Sequence, residues 1–493
     1  MTSYSQPIVV VVGLLGAAAT SAGALGAQPA PPDTVRRIAE LHAAVHKTGP
    51  VIGPRVWPGF RPDTIPTLYV IPRRAKLFAQ WRDTPPSGFF PLGDAREVAW
   101  TDTRTVSFPS GRFIAFLSVD STASPGSVIG LALHEEFHSF YRAAARQGRR
   151  FGHGENAMVV ATYPVFDIAN EAAFALEGRL LARALRARTP GEVRRLAREF
   201  LAVRERRQTR LDSGVVAFET AAELNEGLAQ YAMLRGLREL ARRDPRRWRA
   251  AADAEAAQES ALLDSLLAIG PRSVRRRFYA TGSTIALLLD RLADATWKEQ
   301  LVREDATLQQ TLAAAARYQG REALGAARER RTEAELAALT RDAERAVAAL
   351  GERRSAQRDS ALARPGLHLV LDPSRLPNSR FDWCGFDPQN VLQTPAGELL
   401  HMRMLRACAG RGSVEAAFDQ AVVEDRRSGL LRAAVGTADS LTITAAGATI
   451  ALPADGSSID VRDLKLEGPT LTLAARRAML SRSGAELRIV PVP

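Results

Sequence analysis

The chain is predicted to fold as α+β, mostly helical with a small N-terminal sheet, and with a separate β-rich C-terminal domain. Three observations carry this. Apolar residues recur at helical spacing from Ser127, and helical patterns dominate to about Leu362. Short β-branched and aromatic runs stand before the break at Pro125-Gly126. Beyond Arg364-Pro365-Gly366 the pattern changes to short alternating segments bounded by Gly, Asp and Pro.

Taken in order, the chain opens on an apolar run over 8–19, small residues through Ala27, and then Gln-Pro-Ala-Pro-Pro. This reads as an export signal, residues 1–27, cleaved near Gly26 or Ala27. The mature protein is then expected to be soluble and exported, periplasmic or secreted, with no stable membrane insertion. No Lys or Arg precedes the run, so an uncleaved anchor is the alternative, although about a dozen apolar residues is short for a span. No cysteine stands near the cleavage region, which excludes lipid attachment there.

An amphipathic helix is expected over 33–47, then irregular structure over 49–93 with a strand at 67–71. Further strands are expected near 97–100 and 112–119. The next helix starts with Ser127 as a cap, followed by Val128, Leu131, Ala132 and Phe137 at helical spacing. After a Gly-rich loop at 148–154, helices continue with breaks at Thr189-Pro190-Gly191, Asp244-Pro245 and Gly270-Pro271. Residues 325–362, rich in Ala, Arg and Glu, suit a long exposed helix or hairpin. Strands follow at 367–371, 441–444, 449–452 and 470–473. The expected domains are 33–300, a helical connector over 301–363, and the β-rich domain over 364–493.

The length of 493 residues, with 46% hydrophobic and 24% charged residues, suits a soluble protein of two or three domains. The net charge of +12 is nearly all arginine, interleaved with glutamate as in Arg328-Glu-Arg-Arg331, the pattern of a solvated face. No aromatic-interleaved basic stripe accompanies it, so nucleic acid is not an expected partner. The two cysteines, Cys384 and Cys408, would bridge in an oxidising compartment and clamp neighbouring strands; two separate thiols are the alternative. With no CxxC pair, they do not make a zinc site.

The chemistry concentrates in HEEFH, residues 134–138. On a helix, His134 and His138 lie one turn apart on one face and can reach one metal ion. Glu135 then stands beside the open coordination position as general base, taking a proton from the attacking water and passing it to the leaving amine. Glu136 is a bystander in this reading. A catalytic zinc needs a third protein ligand. In FETAAELNEGLAQY, residues 218–231, Glu219, Glu223, Glu226 and Gln230 align along one face of an Ala-rich apolar helix, and acidic residues on a buried helix need a cation. Glu171 and Glu177 are further candidates for the ligand.

HEEFH followed by Asn225-Glu226-Gly227-Leu228-Ala229-Gln230-Tyr231 resembles the gluzincins, the group that contains thermolysin and aminopeptidase N. The resemblance implies a zincin-like catalytic domain, Zn2+ as cofactor, and Glu226 as third ligand, with Glu219 and Glu223 orienting a histidine or standing in reserve. Phe278-Tyr279-Ala280-Thr281-Gly282 is similar to the YxxG segment of aminopeptidase N relatives, which implies Tyr279 as the oxyanion stabiliser. It also implies that the strand at 112–119 is the sheet edge along which an extended peptide pairs. About ninety residues separate HEEFH from Glu226, more than in those enzymes, and Glu171 and Glu177 lie in that gap. No glycine-methionine-glutamate-asparagine motif precedes His134, so aminopeptidase action is not implied. The likeness spans residues 110–290 at most.

The function so implied is an exported zinc metallopeptidase acting on a peptide or protein substrate. The alternative is a non-catalytic exported binding or scaffold protein that keeps a peptidase-like fold. His42 and His46 also stand four apart on the first helix, but with no glutamate between them they are expected at the surface. His153 is expected as an ordinary loop residue. No Walker loop, GxSxG elbow or GxGxxG fingerprint is present.

Overall fold

A computed structural model of the chain describes residues 32–65, 67–71, 74–75, 77–79, 88–90, 115–118, 123–146, 155–156, 158–268, 274–320, 326–387 and 390–492. The export signal at 1–27, the strand at 97–100, Arg112 and the loop with His153 lie outside the described residues. The chain divides into two compact units: Met1–Asn156 with Ala169–Ile269 and Ser273–Thr340, and Ala157–Ile168 with Gly270–Arg272 and Arg341–Pro493. Both helices and strands are well represented, so the mixed α+β class holds. No helix among the described residues is long and apolar enough to cross a membrane.

The first unit opens with α1, Pro32–Val56. It runs past the expected end at 47, through Pro50 and Pro54. Leu41, Val45, Ile52 and Val56 share one buried face. Burying Ile52 and Val56 contributes about 1.5–3 kcal/mol each, which offsets the backbone bonds that the prolines remove. The small sheet has the order β2-β1-β5: β1 (Thr67–Ile71) pairs parallel with β5 (Ala115–Ser118) and antiparallel with β2 (Arg74–Ala75). A separate hairpin joins β3 (Leu77–Ala79) to β4 (Gly88–Phe90).

HEEFH lies on α2, Pro125–Arg146, whose Val128, Ile129, Ala132, Leu133 and Phe137 are buried. Next comes a short helix, α3 (Met158–Thr162), then α4 (Ile168–Arg186), α5 (Pro190–Gln208) and α6 (Ser213–Ala222). A π-helical turn, Glu223–Gly227, joins α6 to α7 (Leu228–Arg243). After α8 (Pro245–Asp264) comes α9 (Val274–Leu292), buried along almost its whole length. The breaks expected from Thr189-Pro190 and Asp244-Pro245 are N-caps. Thr189 accepts from the Glu192 backbone N–H and Asp244 from that of Arg247, with proline at the first helical position in each.

Helices α10 (Trp297–Glu304) and α11 (Leu308–Ala316) lead to α12, Ala326–Leu362, a single 37-residue helix rather than a hairpin. The second unit is built around a branched 13-stranded sheet, β6–β18. Strands expected at 367–371, 441–444 and 470–473 appear as Leu367–Leu371, Thr442–Ala445 and the start of Leu471–Ser483. Its core holds Leu369, Leu405, Phe418, Leu466, Leu480 and Ile489. Cys384 on β7 (Asp382–Phe386) is bonded to Cys408 on β10 (Met404–Ala409), and these two strands pair antiparallel, the clamp that their spacing suggested.

Candidate metal centre

The two histidines of α2 are buried rather than solvated. His134 and His138 are 2% and 7% exposed. Facing them, the π turn presents Glu226, also buried. His134 Nε2 lies 3.2 Å from His138 Nε2, and Glu226 Oε2 lies 3.3 Å from the first and 3.4 Å from the second. Three donor atoms thus form a nearly equilateral triangle. Tetrahedral coordination at zinc bond lengths near 2.0–2.1 Å requires donor separations of about 3.3 Å.

The other Glu226 oxygen, Oε1, accepts from Arg275 Nη2 at 2.6 Å. Arg275 is in turn clamped by Glu155 through Nε at 2.6 Å and Nη2 at 2.8 Å, and Asn225 donates to Glu155 at 2.6 Å. This chain fixes the carboxylate so that one oxygen faces the imidazoles. Burial pushes the Glu226 carboxyl up, but Arg275 and His138 outweigh it and hold the group well below its ordinary value. For His138, burial works against the charged form, and the neighbouring Glu226 reverses this and raises the imidazole. Glu135, partly buried at the same edge of the helix, is raised by burial against the opposing pull of His138 and His134.

Tyr279 comes from α9 and stacks on His134 with ring centroids 5.6 Å apart and planes inclined by 10°. Burial and the adjacent Glu226 carboxylate raise its hydroxyl well above the ordinary value, so it stays a proton donor. The approach of α9 to the π turn depends on two glycines. A Cβ on Gly227 would meet Gly282 Cα at 2.6 Å, and one on Gly282 would meet the Glu223 carbonyl oxygen at 2.7 Å.

The remaining candidates for a third ligand point elsewhere. Glu219 is clamped by Arg207 at 2.6 and 2.8 Å, and Glu223 by Arg204 at 2.9 Å and by the Thr281 hydroxyl. Glu177 pairs with both Arg204 and Arg207, and Glu171 with Arg277. The expectation that Glu219 and Glu223 orient a histidine is therefore corrected. The cation that these buried acids need is arginine, supplied by α5 for Glu177, Glu219 and Glu223 and by α9 for Glu171. The π turn is the physical reason, because one extra residue in the turn rotates Glu226 away from the face that Glu219 and Glu223 share.

Two residues went unread in the sequence, Arg275 and Glu155. Arg275 carries one available signal: it precedes Tyr279 by four positions, hence by one turn on the same face of α9. His42 and His46 are not at the surface either. They are 7% and 8% exposed and gather with the fully buried Glu136. Among the described residues, two buried groups of histidine and glutamate could thus hold a metal ion: His134, His138 and Glu226, and His42, His46 and Glu136. No protein-family model, no curated protein and no solved structure gives a significant match to this chain.

Proposed function

We propose that the chain is a zinc-dependent peptidase of the gluzincin type, acting outside the cytoplasm on peptide or protein substrates. The observation that carries the reading is the donor triangle of His134, His138 and Glu226, whose edges of 3.2, 3.3 and 3.4 Å suit tetrahedral zinc with a fourth position open. Zinc held there supplies Lewis acidity, making a water more acidic and a carbonyl more electrophilic. Glu135 takes the proton of the attacking water and delivers it to the leaving amine; its raised affinity for a proton suits a group that must hold one between the two steps. The Tyr279 hydroxyl, held protonated, donates to the developing oxyanion. Arg275 keeps Glu226 ionised and aimed. The disulfide Cys384–Cys408 supports an oxidising compartment.

Glu135→Gln tests the reading against a non-catalytic scaffold. Cleavage of a mixed peptide library is expected to fall by about 100-fold or more, with the metal content of the wild type retained. Glu226→Ala is expected to lose one equivalent of zinc together with cleavage. Peptide cleavage that survives Glu135→Gln would remove the enzyme assignment of this site.

A further inference from the structure

The HEEFH helix carries donors on both sides. An α-helix turns by about 100° per residue, so Glu136 lies on the side of α2 opposite His134 and His138, away from the first centre. There it meets α1. His42 and His46 stand one turn apart on that helix, their rings 4.0 Å apart between centroids, and each is more than nine-tenths buried. One donor atom from each of His42, His46 and Glu136 lies within 4.8 Å of the others.

The outer contacts leave the inner atoms suited to a cation. His46 Nδ1 lies 3.0 Å from the Asp63 carbonyl oxygen. A carbonyl only accepts, so Nδ1 carries the proton and Nε2 keeps its lone pair. Thr67 Oγ1 donates to Glu136 Oε1 at 3.0 Å. Two buried atoms then remain with no hydrogen-bond partner among the described residues, His46 Nε2 and Glu136 Oε2. His46 Nε2 is an acceptor in this tautomer and Glu136 Oε2 is one when its carboxylate is ionised, and two acceptors do not satisfy one another. Buried polar atoms without partners are rare in folded proteins. A backbone carbonyl behind an imidazole and a hydroxyl on a carboxylate are also the contacts that orient metal ligands.

We propose that His42, His46 and Glu136 form a second divalent-metal site, of zinc type, that staples α1 to the HEEFH helix. Two imidazoles and one carboxylate are a zinc donor set. The ligands come from segments 90 or more positions apart in the chain, so the ion closes a long loop between the start of the unit and its central helix. The role is structural, since Glu135 and Tyr279 both stand at the other centre.

The test uses the full chain, stripped with a chelator and reloaded with zinc, then analysed for metal content. The wild type is expected to hold two equivalents. Glu136→Gln, which keeps the size of the side chain and an acceptor for Thr67, is expected to hold one, as is His134→Ala/His138→Ala. The three substitutions combined are expected to hold none. In His134→Ala/His138→Ala, shown to be folded by circular dichroism, zinc is expected to raise the melting temperature, and Co2+ to give the visible absorption of a low-coordinate site. If Glu136→Gln keeps the wild-type count, or the folded His134→Ala/His138→Ala protein takes up no ion, the second site is overturned while the peptidase reading stands. One ion that is lost in Glu136→Gln and kept in His134→Ala/His138→Ala would overturn the first centre instead. A wild type that takes up no ion overturns both.

Discussion

At Arg275 a single guanidinium holds two carboxylates, Glu155 and Glu226, and through the second it sets the aim of the proposed third ligand. Such outer contacts are worth about 10–100-fold in metal affinity. Arg275→Met is therefore expected to weaken zinc binding by that factor in competition with a chromophoric chelator; unchanged affinity would show that Glu226 is positioned by the backbone alone. His138 gives a prediction in pH. Its affinity for a proton is raised above the ordinary 6.5, with Glu226 overcoming the effect of burial. In the metal-free protein the resulting charge pair stabilises the fold fully below pH 6.5, and that contribution is lost as pH rises through the raised value. The same proton must leave before a metal binds. Apparent zinc affinity is thus expected to weaken as pH falls through the raised value and to level off above it, measured between about pH 5.5 and about pH 8.5. A flat profile would mean that His138 is neutral before zinc arrives.

At the scale of elements, the crossing of α9 over the π turn sets how Tyr279 and Arg275 meet Glu226, and it rests on backbone against backbone. Gly282→Ala is expected to cost about 1–3 kcal/mol or more in denaturant unfolding and to weaken zinc binding by parting α9 from Glu226. Full stability together with full zinc affinity would sink this account of the crossing.

What the sequence revealed of these elements follows the range of the forces involved. HEEFH on its helix and the breaks at Thr189-Pro190 and Asp244-Pro245 are local patterns, and each lies where its pattern suggested. The partners of Glu219 and Glu223 were misread because even helical spacing does not register a π turn, where one added residue changes which side chains share a face. His42 and His46 were misread for another reason. They sit one position after Leu41 and Val45, and whether a buried stripe is wide enough to include such neighbours depends on what packs against it. Glu155 had no local signal, because its partner Arg275 is 120 positions away.

On the scale of the whole molecule, the chain separates into a helical unit with the two candidate metal centres and a β-rich unit that carries the disulfide. The change of pattern after residue 364 made the second legible, since alternating strands announce themselves in sequence; the branching of its sheet, set by long-range pairing, did not. Cys384 and Cys408 are 24 positions apart, and closing a loop of that length stabilises by roughly 3 kcal/mol. Cys384→Ser/Cys408→Ser is expected to lower the stability of the second unit by that order and to leave the zinc content unchanged; an equally stable variant would show that the pairing of β7 with β10 suffices without the bond. The first unit holds a different kind of tie. Glu177, Glu219 and Glu223 share Arg204 and Arg207 in its interior, and Arg277 reaches Glu171 across 106 positions. A chain with α5 docked but α6 or α9 still loose would hold charges already stripped of water and not yet matched, a state more costly than either end of the reaction. Halfway structures are thereby penalised, so these helices are expected to dock together, which a single cooperative unfolding transition of the first unit in denaturant would check.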